Sequence, residues 1–251
     1  MNKCSGKSIM KEEVVAIVPA AGLGKRFGPG QRKPFITILD KPLLLWVIES
    51  LETSEDIDEV IPVLREQDMD YGVELVKKYG LTKIRRIAKG GSERQVSVFN
   101  GLKLVPDHTS VILIHDGVRP FLEKSLIKEL LKHLSGNDGV ISAVPLKDTI
   151  KEIDSNGLVR TTPKRESFWA VQTPQVFYYR KLFDSYENAF KEGFYSTDDS
   201  ALVERYGGKV RIVMGSYKNI KITTPEDIIL AELFLKLRLN PNNADIVQKF
   251  I

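Results

Sequence analysis

The chain has 251 residues, 42% of them hydrophobic and 28% charged, with a net charge of +4. That length and composition suit a globular α/β domain able to bury its own core without disulfides or structural metals. Cys4 is the single cysteine, which excludes an internal disulfide framework and points to a reducing, cytoplasmic setting. No apolar run reaches the roughly 18–20 residues needed to span a bilayer, and the charge is too modest and too dispersed for a nucleic-acid binder.

In chain order, short β-rich apolar runs alternate with amphipathic helices. Strands are expected at Val14–Pro19, Glu59–Leu64, 84–88, 110–115, 139–144, 209–214 and 219–223. Helices are expected at 43–53, 71–79, 93–105, 124–135, 180–192, 199–206 and 226–239. Pro62 weakens the second strand, because proline cannot donate to a sheet ladder. Ser92 with Gln95 fits a capping box for the third helix, and Thr224-Pro225-Glu226-Asp227 supplies a cap, a first-turn proline and acids for the last. The alternation predicts a Rossmann-like, mostly parallel twisted sheet with helices on both faces.

Residues 148–162 break the rhythm. Two short polar strands flank Asn156-Gly157, a strong hairpin signal, inside an inserted arm spanning about 147–166. A hairpin of this kind has little core of its own, so it either projects towards another subunit or lies solvated on the surface. The rest of residues 1–240 reads as one domain, and 241–251 as a tail that frays.

The chemistry concentrates at strand ends. Val14–Pro19 runs into Ala20-Ala21-Gly22-Leu23-Gly24-Lys25-Arg26-Phe27-Gly28, with Lys33 close behind. Small residues admit a ligand against backbone N–H groups, which bind phosphate oxygens, and the cations add charge where a polyphosphate would lie. Phe27 stands where a dinucleotide fingerprint needs its third glycine, and no P-loop string occurs, so hydride transfer and P-loop chemistry are disfavoured. Asp116, in Ile114-His115-Asp116-Gly117-Val118-Arg119-Pro120, ends a central strand. A carboxylate there suits Mg²⁺ beside phosphates, or pairs with Arg119 as a purely structural bridge. Lys221, between Ile220 and Ile222, is expected to face the strand-end cleft. Capping alone accounts for Thr197-Asp198-Asp199.

These blocks together resemble the sugar-phosphate nucleotidyltransferases. Pro19-Ala20-Ala21-Gly22 and Trp169 resemble the methylerythritol phosphate cytidylyltransferases within them, rather than the ribitol-5-phosphate cytidylyltransferases, which stay as the alternative. Gly90-Gly91-Ser92-Glu93-Arg94-Gln95-Val96-Ser97-Val98, Trp169-Ala170-Val171-Gln172-Thr173-Pro174-Gln175 and Asn219-Ile220-Lys221-Ile222-Thr223-Thr224-Pro225-Glu226-Asp227 carry the likeness on. One departure is Arg32-Lys33-Pro34-Phe35, where the family reads Pro-Lys-Gln-Tyr.

The resemblance implies transfer of CMP from CTP to 2-C-methyl-D-erythritol 4-phosphate, with Mg²⁺ as cofactor. It implies a homodimer whose arms exchange, with Arg165 and Thr149 acting in trans, and no nucleic-acid or membrane partner. It further implies catalytic roles for Arg26, Lys33, Arg165 and Lys221. CTP contacts are implied at Ala20, Ala21, Gly22, Gly24, Lys25, Gly90, Ser92, Ser97 and Asp116, with Asp116 as the metal ligand. Polyol-phosphate contacts are implied at Gly117, Arg119, Thr149, Arg165, Thr173 and Lys221.

Overall fold

The computed structural model describes residues 12–22 and 32–240. Gly24, Lys25 and Arg26 lie outside the described residues, as does the 241–251 tail. The elements in order are β1 (Val14–Pro19), β2 (Thr37–Ile38), β3 (Lys41–Pro42), α1 (Leu43–Glu52), β4 (Glu59–Leu64), α2 (Met69–Tyr79), β5 (Ala88–Lys89), α3 (Arg94–Leu102), β6 (Val111–Ile114), α4 (Lys124–Lys132), β7 (Gly139–Pro145), β8 (Glu152–Ile153), β9 (Val159–Thr161), β10 (Trp169–Tyr178), α5 (Tyr179–Lys191), α6 (Asp199–Arg205), β11 (Val210–Met214) and α7 (Pro225–Leu239).

Seven strands form the central sheet in the order β11-β7-β10-β6-β1-β4-β5. All neighbours are parallel except β10, which runs antiparallel to both β6 and β7. Alternate residues of β1 face opposite sides. Ala16 and Val18 pack with α1 and α4, while Val15 and Ile17 pack with α3, α5 and α6. A third cluster seats Ala231 and Leu235 of α7 on Leu43, Trp46 and Ile222. Both faces of the sheet are covered, so its buried strands read as near-continuous apolar runs.

Pro62 sits inside β4 without breaking the sheet. Val60 N donates to Lys83 O and Leu64 O accepts from Gly90 N, so even-numbered residues of β4 point towards the β5 edge. There β5 pairs only with Val63 and Leu64, and the missing N–H of Pro62 costs no ladder bond.

Three expectations need correction. The strand expected at 84–88 contracts to Ala88–Lys89. Residues 219–223 form an extended segment rather than a strand, tied by Ile222 N to Val118 O. Ser92 and Gln95 form no capping box: α3 starts after Glu93, with no side-chain cap. Gln95 is buried instead, donating to Phe194 O and accepting from Ser196 N. The capping box at α7 is present, with Asp227 accepting from Thr224 N at 2.8 Å.

β10 was not anticipated as a strand. Its apolar alternation is interrupted by Gln172, Thr173 and Pro174, and its register against β7 shifts between Val171 and Gln175. The arm does fold as a hairpin, β8 against β9. Gly157 takes φ +82° in its turn, where a side chain would be strained, and Asp154 Oδ1 accepts from the N–H groups of Asn156 and Leu158.

Candidate active site

A cleft of about 580 Å³ opens at the carboxyl ends of β6, β1, β4 and β5, where open parallel sheets bind ligands. Ala20, Ala21, Gly22, Lys33, Ser92, Ser97, Asp116 and Lys221 all line it, as expected from the sequence. Arg65, Glu93 and Arg94 line it too. Four cationic side chains (Lys33, Arg65, Arg94, Lys221) thus meet two acidic ones (Glu93, Asp116), so the cleft favours an anionic ligand.

The glycines and alanines do two different jobs. A Cβ on Gly90 would fall 2.2 Å from Ala21 Cβ, and one on Gly117 would fall 2.9 Å from Ala20 Cβ. These two glycines let three strand-end loops pack on one another, and neither is among the residues that line the cleft. Gly22 has nothing within 4 Å of such a position, leaving its backbone open to the cleft.

Ser97 fastens the loop before α3. Its hydroxyl donates to Glu93 O and accepts from Gly91 N, both at 3.0 Å. The hydroxyl shapes the loop wall, and Gly91, Ser92 and Ser97 all line the cleft.

Asp116 is the electrostatic centre. Lys221 Nζ lies 2.9 Å from Oδ2, Arg119 Nε 3.5 Å from Oδ2, and Arg94 Nε 3.3 Å from Oδ1. Burial alone would raise its pKa, but Arg94, Lys221 and Arg119 outweigh burial and hold the carboxyl well below the usual range. Asp116 is therefore ionised at neutral pH.

A buried relay fixes its backbone. Asp116 N donates to Thr173 Oγ1 at 3.0 Å, and that hydroxyl bonds His115 Nδ1 at 3.1 Å. Arg119 O can only accept, so His115 Nε2–H donates to it at 3.0 Å, and Nδ1 of the neutral ring accepts from the Thr173 hydroxyl. Burial lowers the His115 pKa to about 4, keeping it neutral.

Thr173 and Arg119, both expected to contact substrate, are buried and hydrogen-bonded within the protein, although Arg119 Nε has no hydrogen-bond partner among the described residues. Arg119 is 8% exposed, with Nη1 donating to Asn219 O at 2.8 Å. Asn219 holds the other side through Nδ2 to Thr173 O. Together they anchor the segment that carries Lys221.

Arg94 and Asp199 are the residues that sequence reasoning missed. Arg94 Nη1 and Nη2 donate to the two oxygens of Asp199 at 2.8 and 2.7 Å, a bidentate fork. Tyr186 also donates to Asp199, which is 1% exposed at the start of α6. Burial opposes the charge on Arg94, and Asp199 with Asp116 more than restores it. Capping does not account for Asp199: Asp198 is the cap, accepting from Ala201 N. A second acid after a sufficient cap was the available signal.

Thr149 and Arg165 are exposed on or beside the arm and do not line this cleft. Arg165 Nη1 donates to Lys147 O. Among the described residues no group of three His, Cys, Asp or Glu side chains is placed to hold a metal ion.

An anion-favouring cleft at the strand ends of this sheet, lined by Ala20, Ala21 and Gly22, fits a nucleotide-binding enzyme, and the matches to known proteins make the class a nucleotidyltransferase. The family model of 2-C-methyl-D-erythritol 4-phosphate cytidylyltransferase matches residues 14–237. The curated protein of that name from Geotalea uraniireducens is 46% identical over 226 residues, covering 89% of this chain and 97% of the relative. That from Desulforamulus reducens is 42% identical over 226 residues, covering 90% and 97%.

Among solved structures, 4-diphosphocytidyl-2C-methyl-D-erythritol synthase from Anaerococcus prevotii superposes with a TM-score of 0.81 at 37% identity, covering 90% of this chain and 97% of that one. The Thermus thermophilus 2-C-methyl-D-erythritol 4-phosphate cytidylyltransferase gives 0.74 at 31%, covering 89% and 99%. The chain belongs to the 2-C-methyl-D-erythritol 4-phosphate cytidylyltransferase family.

Proposed function

We propose that this chain joins CTP to 2-C-methyl-D-erythritol 4-phosphate, giving 4-diphosphocytidyl-2-C-methyl-D-erythritol and pyrophosphate, a step of isoprenoid precursor synthesis. The observation that carries this reading is the convergence of Lys33, Arg94, Asp116 and Lys221 on one strand-end cleft, in a chain matched to the family from residue 14 to 237.

A phosphate oxygen of the polyol substrate attacks the α-phosphorus of CTP. A P–O bond forms there as the bond to pyrophosphate breaks, and the electron pair leaves with pyrophosphate. The nucleophile is already anionic, so the protein needs to position two anions and neutralise their charge rather than supply a strong base. Lys221 is suited to hold the incoming phosphate: it is 41% exposed and steered towards the cleft by Asp116. Lys33, in the 3-10 turn Lys33–Phe35 at the cleft wall, is suited to the triphosphate, the role that the family resemblance also implies for Arg26.

Asp116 is a single ionised carboxylate at the cleft wall, which fits Mg²⁺ held mainly by nucleotide phosphates and one or two carboxylates. The ion would supply charge neutralisation at the triphosphate. Arg94 and the backbone relay through Thr173 hold Asp116 in place for that role.

The arm fits a second copy of the chain. Ile153, Leu158 and Val159 are exposed along it, and Phe168, Trp169 and Val171 are exposed beside it where β10 begins, together more apolar surface than a lone polar hairpin needs to leave in water. In an arm-exchanged homodimer Arg165 and Thr149 would reach the partner's cleft, with Arg165 gripping a phosphate through its fork. No helix among the described residues is long and apolar enough to cross a membrane, in keeping with a cytoplasmic enzyme.

The test is pyrophosphate release from CTP with a panel of polyol phosphates. Turnover of 2-C-methyl-D-erythritol 4-phosphate well above ribitol 5-phosphate is expected. The reverse order would move the chain to the ribitol-phosphate substrate.

A further inference from the structure

Arg65 stands at the other end of the cleft from Asp116 and has no part in the chemistry above. It follows β4, whereas Asp116 follows β6, with β1 between them. Two strand spacings put their anchor points about 10 Å apart.

The Arg65 guanidinium is aimed but not used up. Nε donates to Asp68 Oδ2 at 2.7 Å. Asp68 is 1% exposed, and its Oδ1 accepts from Arg32 Nε at 2.5 Å. Arg32 is itself braced over the rings of Phe35 and Tyr71. Arg65 is therefore held on Asp68 through Nε alone, with Arg32 on the other carboxylate oxygen. Its Nη2 is buried without a hydrogen-bond partner among the described residues, although the side chain lines the cleft. A buried cationic donor left unpaired is costly, and an arginine that lines a ligand site is satisfied when a small turn of its guanidinium meets an acceptor on the ligand.

The neighbourhood says which part of the ligand that is. Gly90 N donates to Leu64 O at 2.7 Å, placing the Gly90-Gly91-Ser92 loop directly beside Arg65. The cations that serve the reacting phosphates, Lys221 above all, cluster instead at the Asp116 end. Arginine offers donors only. The cytosine ring presents acceptors at O2 and N3, and the ribose presents hydroxyl oxygens. Resting on the reading of CTP as the nucleotide, we propose that Arg65 is a further CTP-binding residue, donating from Nη2 to an acceptor of the cytidine half. Asp68 is the residue that positions it.

Calorimetric titration of the full-length protein with CMP, and separately with inorganic tripolyphosphate, tests this. Arg65→Met removes the donor. Arg65→Lys keeps an ion pair with Asp68, and so guards the fold, but lacks the second arm of the guanidinium fork that Nη2 provides. Both variants are expected to bind CMP about tenfold more weakly or worse, and tripolyphosphate within about twofold of wild type. CMP binding within about twofold of wild type in either variant overturns the assignment. So do equal losses for both ligands, which would make Arg65 a general source of positive potential. Turnover of CTP by the wild type is measured alongside, and its absence would sink the substrate reading itself and this assignment with it.

Discussion

Asp199→Asn probes how Asp116 is held. The change leaves an amide where a carboxylate takes two guanidinium hydrogen bonds, at 2.8 and 2.7 Å, from Arg94. An exposed ion pair is worth about 0–1 kcal/mol, and breaking a buried one costs about 3–5 kcal/mol. Asp199 is 1% exposed and Arg94 25%, and Arg94 retains Asp116 as a second partner. The cost therefore sits at the lower end, about 3 kcal/mol.

Turnover should fall as well, by about tenfold or more, because an untethered Arg94 turns its fork onto Asp116 and competes with Lys221. Urea denaturation and steady-state pyrophosphate release measure the two effects. They are separated by a triple variant, Arg94→Met with Asp199→Leu and Tyr186→Phe, which replaces the whole buried polar group by apolar side chains. Stability should return to within about 1 kcal/mol of wild type, since such replacements are often neutral, while turnover stays low. A cost below about 1 kcal/mol for Asp199→Asn, or recovery of turnover in the triple variant, would refute the reasoning.

Further outcomes follow from the same geometry. Lys221→Ala should lower kcat by on the order of a hundredfold, the usual loss for one preorganised charge-stabilising group, read in the same release assay. Mixing inactive Arg165→Ala with inactive Lys221→Ala under subunit exchange should recover activity through hybrid dimers, and no recovery would count against the arm acting in trans. His115, neutral in the fold with a pKa of about 4 against an ordinary 6.5, makes stability fall between those two values as pH drops, because the unfolded chain takes up the proton first. The full loss is on the order of 3 kcal/mol. Urea midpoints across that window should slope less in His115→Gln, which has no ionisable ring.

Periodicity was enough for the sheet's parallel core and its helices, because a strand buried on both faces can be written in few ways. Val14–Pro19, Glu59–Leu64 and the helix seams follow directly from apolar spacing. Ala20-Ala21-Gly22, Asp116 and Lys221 were placed at the cleft for a related reason: a strand end that carries small residues and a charge leaves room and polarity where parallel sheets take ligands. Alternation also told that Lys221 opposes Ile220 and Ile222, even though no strand forms there.

Only the tertiary structure decided how those charges are wired. Arg94 and Asp199 lie 105 positions apart in the chain, and Arg119 and Asn219 lie 100 apart, so no local pattern pairs them. Thr173 looked like a substrate contact, and its burial turned it into a support for the Asp116 backbone. Gly90 and Gly117 looked like ligand contacts, and the approach of neighbouring loops made them packing residues. Sequence spacing records which groups a strand end carries. Whether a polar atom faces a ligand or another part of the chain depends on what folds back over it, and that is a property of the whole packed structure.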